Sequence, residues 1–497
     1  MPLLDEGSLH RDSPQTVPVI IIGNGPSGIC LSYLLSGYTP YLDPTAEHPN
    51  PILYHKLQKA KHLPIIEQDL EYLCEGLEGR SGNPVAVLFD TLLYPNADLG
   101  YEIPSVLQWK LEERHHIPHL VLGKGTPGGA WHAMEESILT ISLGIWMELP
   151  GVNYREINSK KWRNVTNDRA TPDELSSYYK NYVNIMGLQK NFVDNTHVTS
   201  IRKLHSGHNL KKEHENKIDT KNDQKNRIET TGASDLPAHL GVEGEDFPYV
   251  FHSLRDLGTA VNNPKNLGPL SDPVLVVGAG LTAADAVLCA YNNNIPVLHA
   301  FRKQTDDPGL IFKQLPKMLY PEYHRVYNLM CSQTYLTCPF AKHGVNPVGQ
   351  KVSTQLYPDY TSFPEHCVHS FQPDMHCILR GSNGVLRAFK VSMVLVLIGT
   401  YPSLSFIKDH GRYLGLDPSR PISCRHNPVN INPYTFECSA EPDLFAMGPL
   451  VGDNFVRFLK GGALAIASCL LKRLKQIKIN GKLIADEGED REEGGFV

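Results

Sequence analysis

Val19-Ile20-Ile21-Ile22-Gly23-Asn24-Gly25-Pro26-Ser27-Gly28-Ile29-Cys30-Leu31 is the stretch on which the fold turns. Residues 17–22 are a β-branched, apolar run that reads as a buried strand, and residues 27–36 read as an apolar helix. Between them lies G-x-G-x-x-G. Gly23 permits the tight turn, Gly25 lets backbone approach a pyrophosphate, and Gly28 lets helix and strand pack closely. Around Pro26 and Ser27 the helix begins, offering free N–H groups and a partial positive charge to phosphates. The motif alone is common, but its strand–turn–helix setting makes it a dinucleotide site.

The same unit recurs at Gly278-Ala279-Gly280-Leu281-Thr282-Ala283, after an apolar strand at 273–277 and before a helix at 282–292. Ala283 is an accepted variant of the third glycine. The next strand, 296–301, ends in Arg302-Lys303. An acidic residue there would bind a ribose 2′-hydroxyl. Two cations suit a 2′-phosphate and favour NADPH over NADH. Two fingerprints this far apart indicate an α/β flavoprotein with two Rossmann-like domains, FAD in the first and NADPH in a domain inserted within it.

The chain has 497 residues, two or three domains' worth at roughly 100–200 residues each. The expected organisation is a flexible arm at 1–16, the first part of the FAD domain at 17–265, the NADPH domain at 272–400 and the rest of the FAD domain at 401–475. An acidic tail follows at 486–497. Residues 205–229 are rich in Lys, Asn, Glu and Asp and nearly free of apolar side chains, so a disordered loop is expected there. Thr171-Pro172-Asp173-Glu174 is a capping box that should start a helix running to Met186 and stopped by Gly187. Strands are expected at 118–122, 196–201 and 392–398, and a helix with a basic, solvated end (Lys472, Arg473, Lys475, Lys478) at 461–475.

A net charge of −6 argues against nucleic acid as a partner, which needs a basic field. No run approaches the roughly 20 apolar residues of a membrane span, and no secretory signal is visible. Ten scattered cysteines without a C-x-x-C pair suggest reduced thiols in an intracellular, cytoplasmic protein, and argue against a dithiol flavoenzyme. Cys367, His369, His376 and Cys377 fit no common zinc spacing, so no metal is expected. His115 and His116 read as exposed. His252 is either a proton donor near the nicotinamide or a hydrogen-bonded structural residue.

Further segments bring in a family. Pro127-Gly128-Gly129-Ala130-Trp131 resembles the G-G-x-W segment of the FAD domain of class B flavin monooxygenases. Residues 174–201 resemble their Y-x-x-Y helix and the strand after it. Residues 247–253 resemble the link between their two domains. Closer still is the oxidative-stress-induced growth inhibitor family, above all its second, germ-cell-associated branch. The chain resembles it at residues 24–32, 76–81, 313–324 and 448–458, and overall from about residue 17 to about 472.

That resemblance implies FAD- and NADPH-dependent, monooxygenase-like chemistry. Molecular oxygen and an unidentified substrate would be the partners, with oxygenation or hydrogen peroxide release as the outcome. It also implies growth restraint and links to oxidative stress, cell division, differentiation and meiosis. Gly128, Gly129 and Trp131 would then line the flavin site. The strand at 444–447 would meet it at Gly448, with Asp453 standing in for the usual ribityl-binding Asp and Pro449 in that residue's place. Gly461-Gly462-Ala463 would open the last helix toward the flavin, with Arg457 as an added charge.

Two departures favour an alternative, a catalytically weak regulator acting through protein partners. Gly123-Lys124 stands where a carboxylate for the FAD ribose is usual. Lys225-Asn226-Arg227-Ile228-Glu229 replaces the apolar strand before Thr230-Thr231-Gly232, so either a sheet strand is lost or sequence is missing.

Overall fold

Val19–Ile22 forms the centre of a five-stranded parallel sheet, flanked by His119–Leu122 on one side and Asn226–Glu229 on the other. Phe192–Val193 extends the sheet beyond His119–Leu122, and Leu444–Ala446 beyond Asn226–Glu229. By chain position the order is 3-2-1-4-5, the doubly wound arrangement. Ile21 and Val121 are fully buried, as expected of strands covered on both faces. The structure is a computed structural model and describes residues 17–135, 138–157, 169–202, 226–229, 235–262, 267–335, 357 and 359–489, without the side chains of 226–229 and 478–489.

The chain divides into two compact units. The first comprises 1–133, 139–233 and 402–497, and the second 134–138 and 234–401. In the first, the helices Pro26–Leu35 and Val456–Glu489 share one apolar core through Ile29, Leu31, Leu34, Ala463, Leu464 and Ile466. Pro84–Leu93 packs on the last helix at van der Waals limit, because a Cβ at Gly461 would stand 2.3 Å from the Cα of Ala86. The capping box at Thr171 and Glu174 is formed, and its helix runs Pro172–Ile185. Three tyrosines of that helix are fully buried. Tyr178, Tyr179 and Tyr182 donate their hydroxyls to the carbonyls of Val152, Met147 and Pro150, so their burial leaves no phenol unsatisfied.

The second unit holds another five-stranded parallel sheet, in the order Tyr360–Pro364, Val297–Phe301, Val274–Val277, Met393–Val396, Val250–Phe251. Leu281–Asn292 follows the central strand. His366–Phe371, His376–Gly381 and Leu386–Lys390 add an antiparallel three-stranded sheet.

The strand before Thr230 is not lost. Asn226–Glu229 pairs on both edges, so its backbone is held by its neighbours despite its polar composition, and sheet context outweighs propensity. The part of 205–229 expected as loop therefore ends in a strand, and 205–225 lies outside the described residues. Residues 196–201 form no strand; the sheet is extended instead by Phe192–Val193, which ends where Asn195, at φ +52, turns the chain.

The last helix begins at Val456, not at the glycine pair, and continues to Glu489, into the stretch expected as acidic tail. The unit boundary falls at residue 234 rather than near 265, since Val250–Phe251 belongs to the second sheet. His115 is not exposed. It is 1% accessible, with Nε2 2.5 Å from Glu67 and Nδ1 3.0 Å from Glu112. Nor is the basic helix end merely solvated: Lys475 pairs with Glu67, Arg473 with Glu437 and Asp443, and Lys472 donates to the Gln68 carbonyl.

Candidate dinucleotide sites

In the first unit the predicted glycines converge on one helix N-terminus. Gly23 has φ +112 and donates to the Leu122 carbonyl, which ends the strand and turns the chain. Gly25 is the N-cap of Pro26–Leu35, and Pro26 occupies its first turn. The N–H groups of Ser27 and Gly28 have no acceptor within the helix, leaving two donors and the dipole's positive end beside Gly25. A Cβ at Gly25 would meet no atom within 4 Å, so protein does not fill that side. Gly129 packs against another face of Gly25, where a Cβ would be 2.9 Å from Gly25 Cα. Gly448, at φ +65, closes another wall, where a Cβ would be 2.4 Å from Ser27 Oγ. Trp131 packs half-buried against the core just beyond.

These residues fit a pyrophosphate: a donor-rich helix start, open on the Gly25 side, with Gly129 and Gly448 packed close to it. At Gly123, where a ribose carboxylate is usual, the space is taken by the Asn24 side chain. A Cβ there would be 2.0 Å from Nδ2 of Asn24, whose amide donates to the Gly125 carbonyl at 2.6 Å. Asn24 also reaches Asp194 at 3.4 Å. Asp194 directly follows the strand Phe192–Val193, and burial raises its carboxyl while the Asn24 hydrogen bond opposes that. Asn24 and Asp194 are thus an acid–amide pair beside the first fingerprint. Sequence reading missed it because the two residues lie far apart in the chain.

The 448–462 segment is more structural than the sequence suggests. Asp453 is 2% exposed, accepts from Ser81 Oγ at 2.6 Å and Asn83 Nδ2 at 2.8 Å, and burial pushes its carboxyl up to about 6. Its N–H donates to Gly448, so it fixes the turn after that glycine. Arg457 is buried, forked onto Asp90 at 2.5 and 2.7 Å and joined to Asp98 at 2.9 Å, so its charge is committed within the protein. Lys460 is also buried, bonded to Tyr94 Oη and the Glu148 carbonyl, and burial lowers its ammonium to about 8. A Cβ at Gly462 would be 2.9 Å from the Phe436 ring, which marks a packing glycine rather than a cofactor contact.

In the second unit Gly278 has φ +131, and a Cβ there would strike the Leu397 carbonyl at 2.3 Å. Gly280 caps Leu281–Asn292, and a Cβ there would meet nothing within 4 Å. Leu281 and Thr282 supply the first-turn backbone, and Ala283 packs under Gly278. His299, unforeseen from sequence, is fully buried beneath this turn. Its Nε2 lies 2.6 Å from the Gly278 carbonyl and its Nδ1 2.8 Å from Tyr360 Oη. A carbonyl only accepts, so Nε2 carries the proton. Burial lowers the ring to about 4 and keeps it neutral for that role.

Arg302 and Lys303 follow the adjoining strand and are exposed, with Lys303 3.4 Å from Asp307. His252 stands elsewhere in the unit, with Nε2 3.0 Å from Glu245 and its ring 4.4 Å from that of His239.

A 3-2-1-4-5 parallel sheet, a second parallel sheet, and a glycine turn capping a helix in each define a flavoprotein fold of the FAD/NAD(P)-binding type. The bacillithiol disulfide reductase of Staphylococcus aureus shares it, with TM-score 0.55 and 14% identity over 93% of this chain and 99% of that one. The chain belongs to the oxidative stress-induced growth inhibitor family. It is 55% identical to human oxidative stress-induced growth inhibitor 2 over 96% of this chain and 97% of that protein. It is 45% identical to human oxidative stress-induced growth inhibitor 1 over 94% and 97%. A Caenorhabditis elegans homologue is 28% identical over 94% and 96%. No family model matches. Among the described residues, no helix is long and apolar enough to cross a membrane.

Proposed function

We propose that this protein is an FAD- and NADPH-dependent, monooxygenase-like flavoprotein whose activation of oxygen underlies growth restraint. The observation that carries the reading is the convergence of Gly25, Ser27, Gly129 and Gly448 on one helix N-terminus. Bound FAD would supply the redox chemistry, accepting electrons from a reduced nicotinamide and passing them to oxygen. The protein's share is to bind and orient. Ser27 and Gly28 N–H groups would hold the FAD pyrophosphate, with Gly129 and Gly448 beside them. Gly280 and the first turn of Leu281–Asn292 hold the second nucleotide, kept in shape by His299 beneath Gly278. Arg302, with Lys303 beside it, favours a 2′-phosphate.

The test is a flavin absorbance spectrum of purified protein before and after anaerobic NADPH. Yellow protein bleached by NADPH supports the proposal. Protein that stays colourless with added FAD and never oxidises NADPH overturns it.

A second reading, a regulator that binds flavin weakly and acts through protein partners, draws on Asn24 filling the place beside Gly123 where a ribose carboxylate is usual. It expects Gly25 and Gly280 substitutions to leave the growth phenotype unchanged.

A further inference from the structure

Glu245 lies in the second unit, in a loop built with little freedom. Gly241 and Gly244 both have positive φ, and a Cβ at Gly244 would strike the Phe371 carbonyl at 2.4 Å. The loop is tied to the antiparallel sheet by the Phe371 N–H on the Glu243 carbonyl and by Tyr249 Oη on the Gln372 carbonyl. Within it, the Glu245 carboxylate is 6% exposed and held by two backbone donors, Leu240 N–H on Oε1 at 2.8 Å and Gly241 N–H on Oε2 at 2.7 Å.

Two imidazoles meet at the same Oε1: His252 Nε2 at 3.0 Å and His239 Nδ1 at 3.5 Å. All three ligand atoms lie within 4.8 Å of one another. A carboxylate oxygen has two lone pairs, and one is spent on Leu240. The other can take one imidazole proton. His252 fits, and His239 is left at the outer limit of a hydrogen bond.

A single cation satisfies all three groups. With Zn–N and Zn–O near 2.0–2.1 Å, tetrahedral ligands stand about 3.3 Å apart; the two carboxylate–imidazole distances bracket that spacing, and the imidazole pair, within 4.8 Å, would close onto the ion by rotation of the exposed His239. Two imidazoles and a carboxylate are also the donor set that a borderline ion of the zinc class prefers. The backbone donors to Glu245 supply the outer shell that orients a ligating carboxylate.

We propose that His239, Glu245 and His252 form a three-ligand site for a divalent zinc-class ion, with water in the fourth position on the exposed His239 side. The ion would clamp the 239–252 segment immediately before and through the strand Val250–Phe251. His252 then serves as a ligand and is unavailable as a proton donor. The site stands apart from the flavin reading, because neither nucleotide is needed to assemble it.

The test uses the full chain, stripped with a chelator and free of nucleotide, titrated with Co2+ by visible absorbance and with Zn2+ by calorimetry. Wild type should take up an equivalent of Co2+ with four-coordinate d–d bands that Zn2+ displaces. His239→Ala and Glu245→Gln should each lose that equivalent, and His239→Cys should restore it, because a thiolate is also a zinc ligand. His239 is half exposed, so its alanine variant keeps the fold, as far-UV circular dichroism will report. Absence of the bands in wild type, or equal uptake in the Ala and Gln variants, overturns the proposal and leaves a plain His–Glu hydrogen bond.

Discussion

Changing Gly25 to serine separates nucleotide binding from folding. Gly25 has φ −74 and ψ −176, a conformation open to any residue, and a Cβ there meets no atom within 4 Å. It is also an N-cap, where serine ranks at or above glycine. Gly25→Ser should therefore leave the nucleotide-free protein within about 0.5 kcal/mol of wild type. What the new side chain enters is the space beside the Ser27 and Gly28 N–H groups. Added atoms in a tightly packed contact cost about 1–3 kcal/mol. At 1.4 kcal/mol per tenfold, FAD affinity should fall roughly 5- to 150-fold.

Gly280→Ser is the matched control, with φ −91, ψ 179 and the same absence of neighbours. It should weaken NADPH alone. The assay pairs flavin and nicotinamide titrations with urea midpoints taken without ligand. Unchanged FAD affinity in Gly25→Ser, when wild type binds FAD, refutes the placement of the pyrophosphate. A fall in the ligand-free midpoint refutes the steric argument.

Arg457→Met leaves Asp90 buried and unpaired, and should cost about 3–5 kcal/mol in urea unfolding, with Asp90→Leu added to it recovering much of the loss. For Asp453, the folded carboxyl titrates near 6 against an ordinary 3.8. The folded state thus holds the extra proton in that window, and its stability falls as pH rises through about 6, by roughly 3 kcal/mol in all. Asp453→Asn should remove that slope, and an unchanged slope would show the carboxyl to be ordinary. Arg302→Ala should weaken NADPH by about 10- to 100-fold, one charge-assisted hydrogen bond, and NADH hardly at all, measured by fluorescence titration. Equal losses for both would place Arg302 away from the 2′-phosphate.

The parts of the fold legible in sequence were those with local causes. Both strand–glycine–helix turns and the Thr171 capping box depend on a few adjacent residues, and they stand where the residues placed them. Asn226–Glu229 was illegible because its strand character comes from its neighbours and not from its own side chains. The glycine pair at 461–462 was misread for a related reason. A glycine at a helix start and a glycine at a helix crossing look alike until the partner, here Ala86 or Phe436, is known. His299, Asp194 and the Glu67–His115–Glu112 cluster share the difficulty, since each acquires its role from residues distant in the chain. Asp453 and Arg457 read as flavin-site residues, yet both are committed to partners hundreds of positions upstream.

The position of Asn226–Glu229 also bears on how the chain is made. Leu444–Ala446 reaches the first sheet only through it, and residues 234–401 are synthesised between the two. At ~5–20 residues per second, a sheet assembled before then would wait roughly ten seconds or more with Asn226–Glu229 as its bare edge. An apolar edge would invite other chains to add to it during that interval. Charged residues on an edge discourage such pairing. The polar composition of this strand would thus suit an edge left uncovered until the C-terminal segment is made.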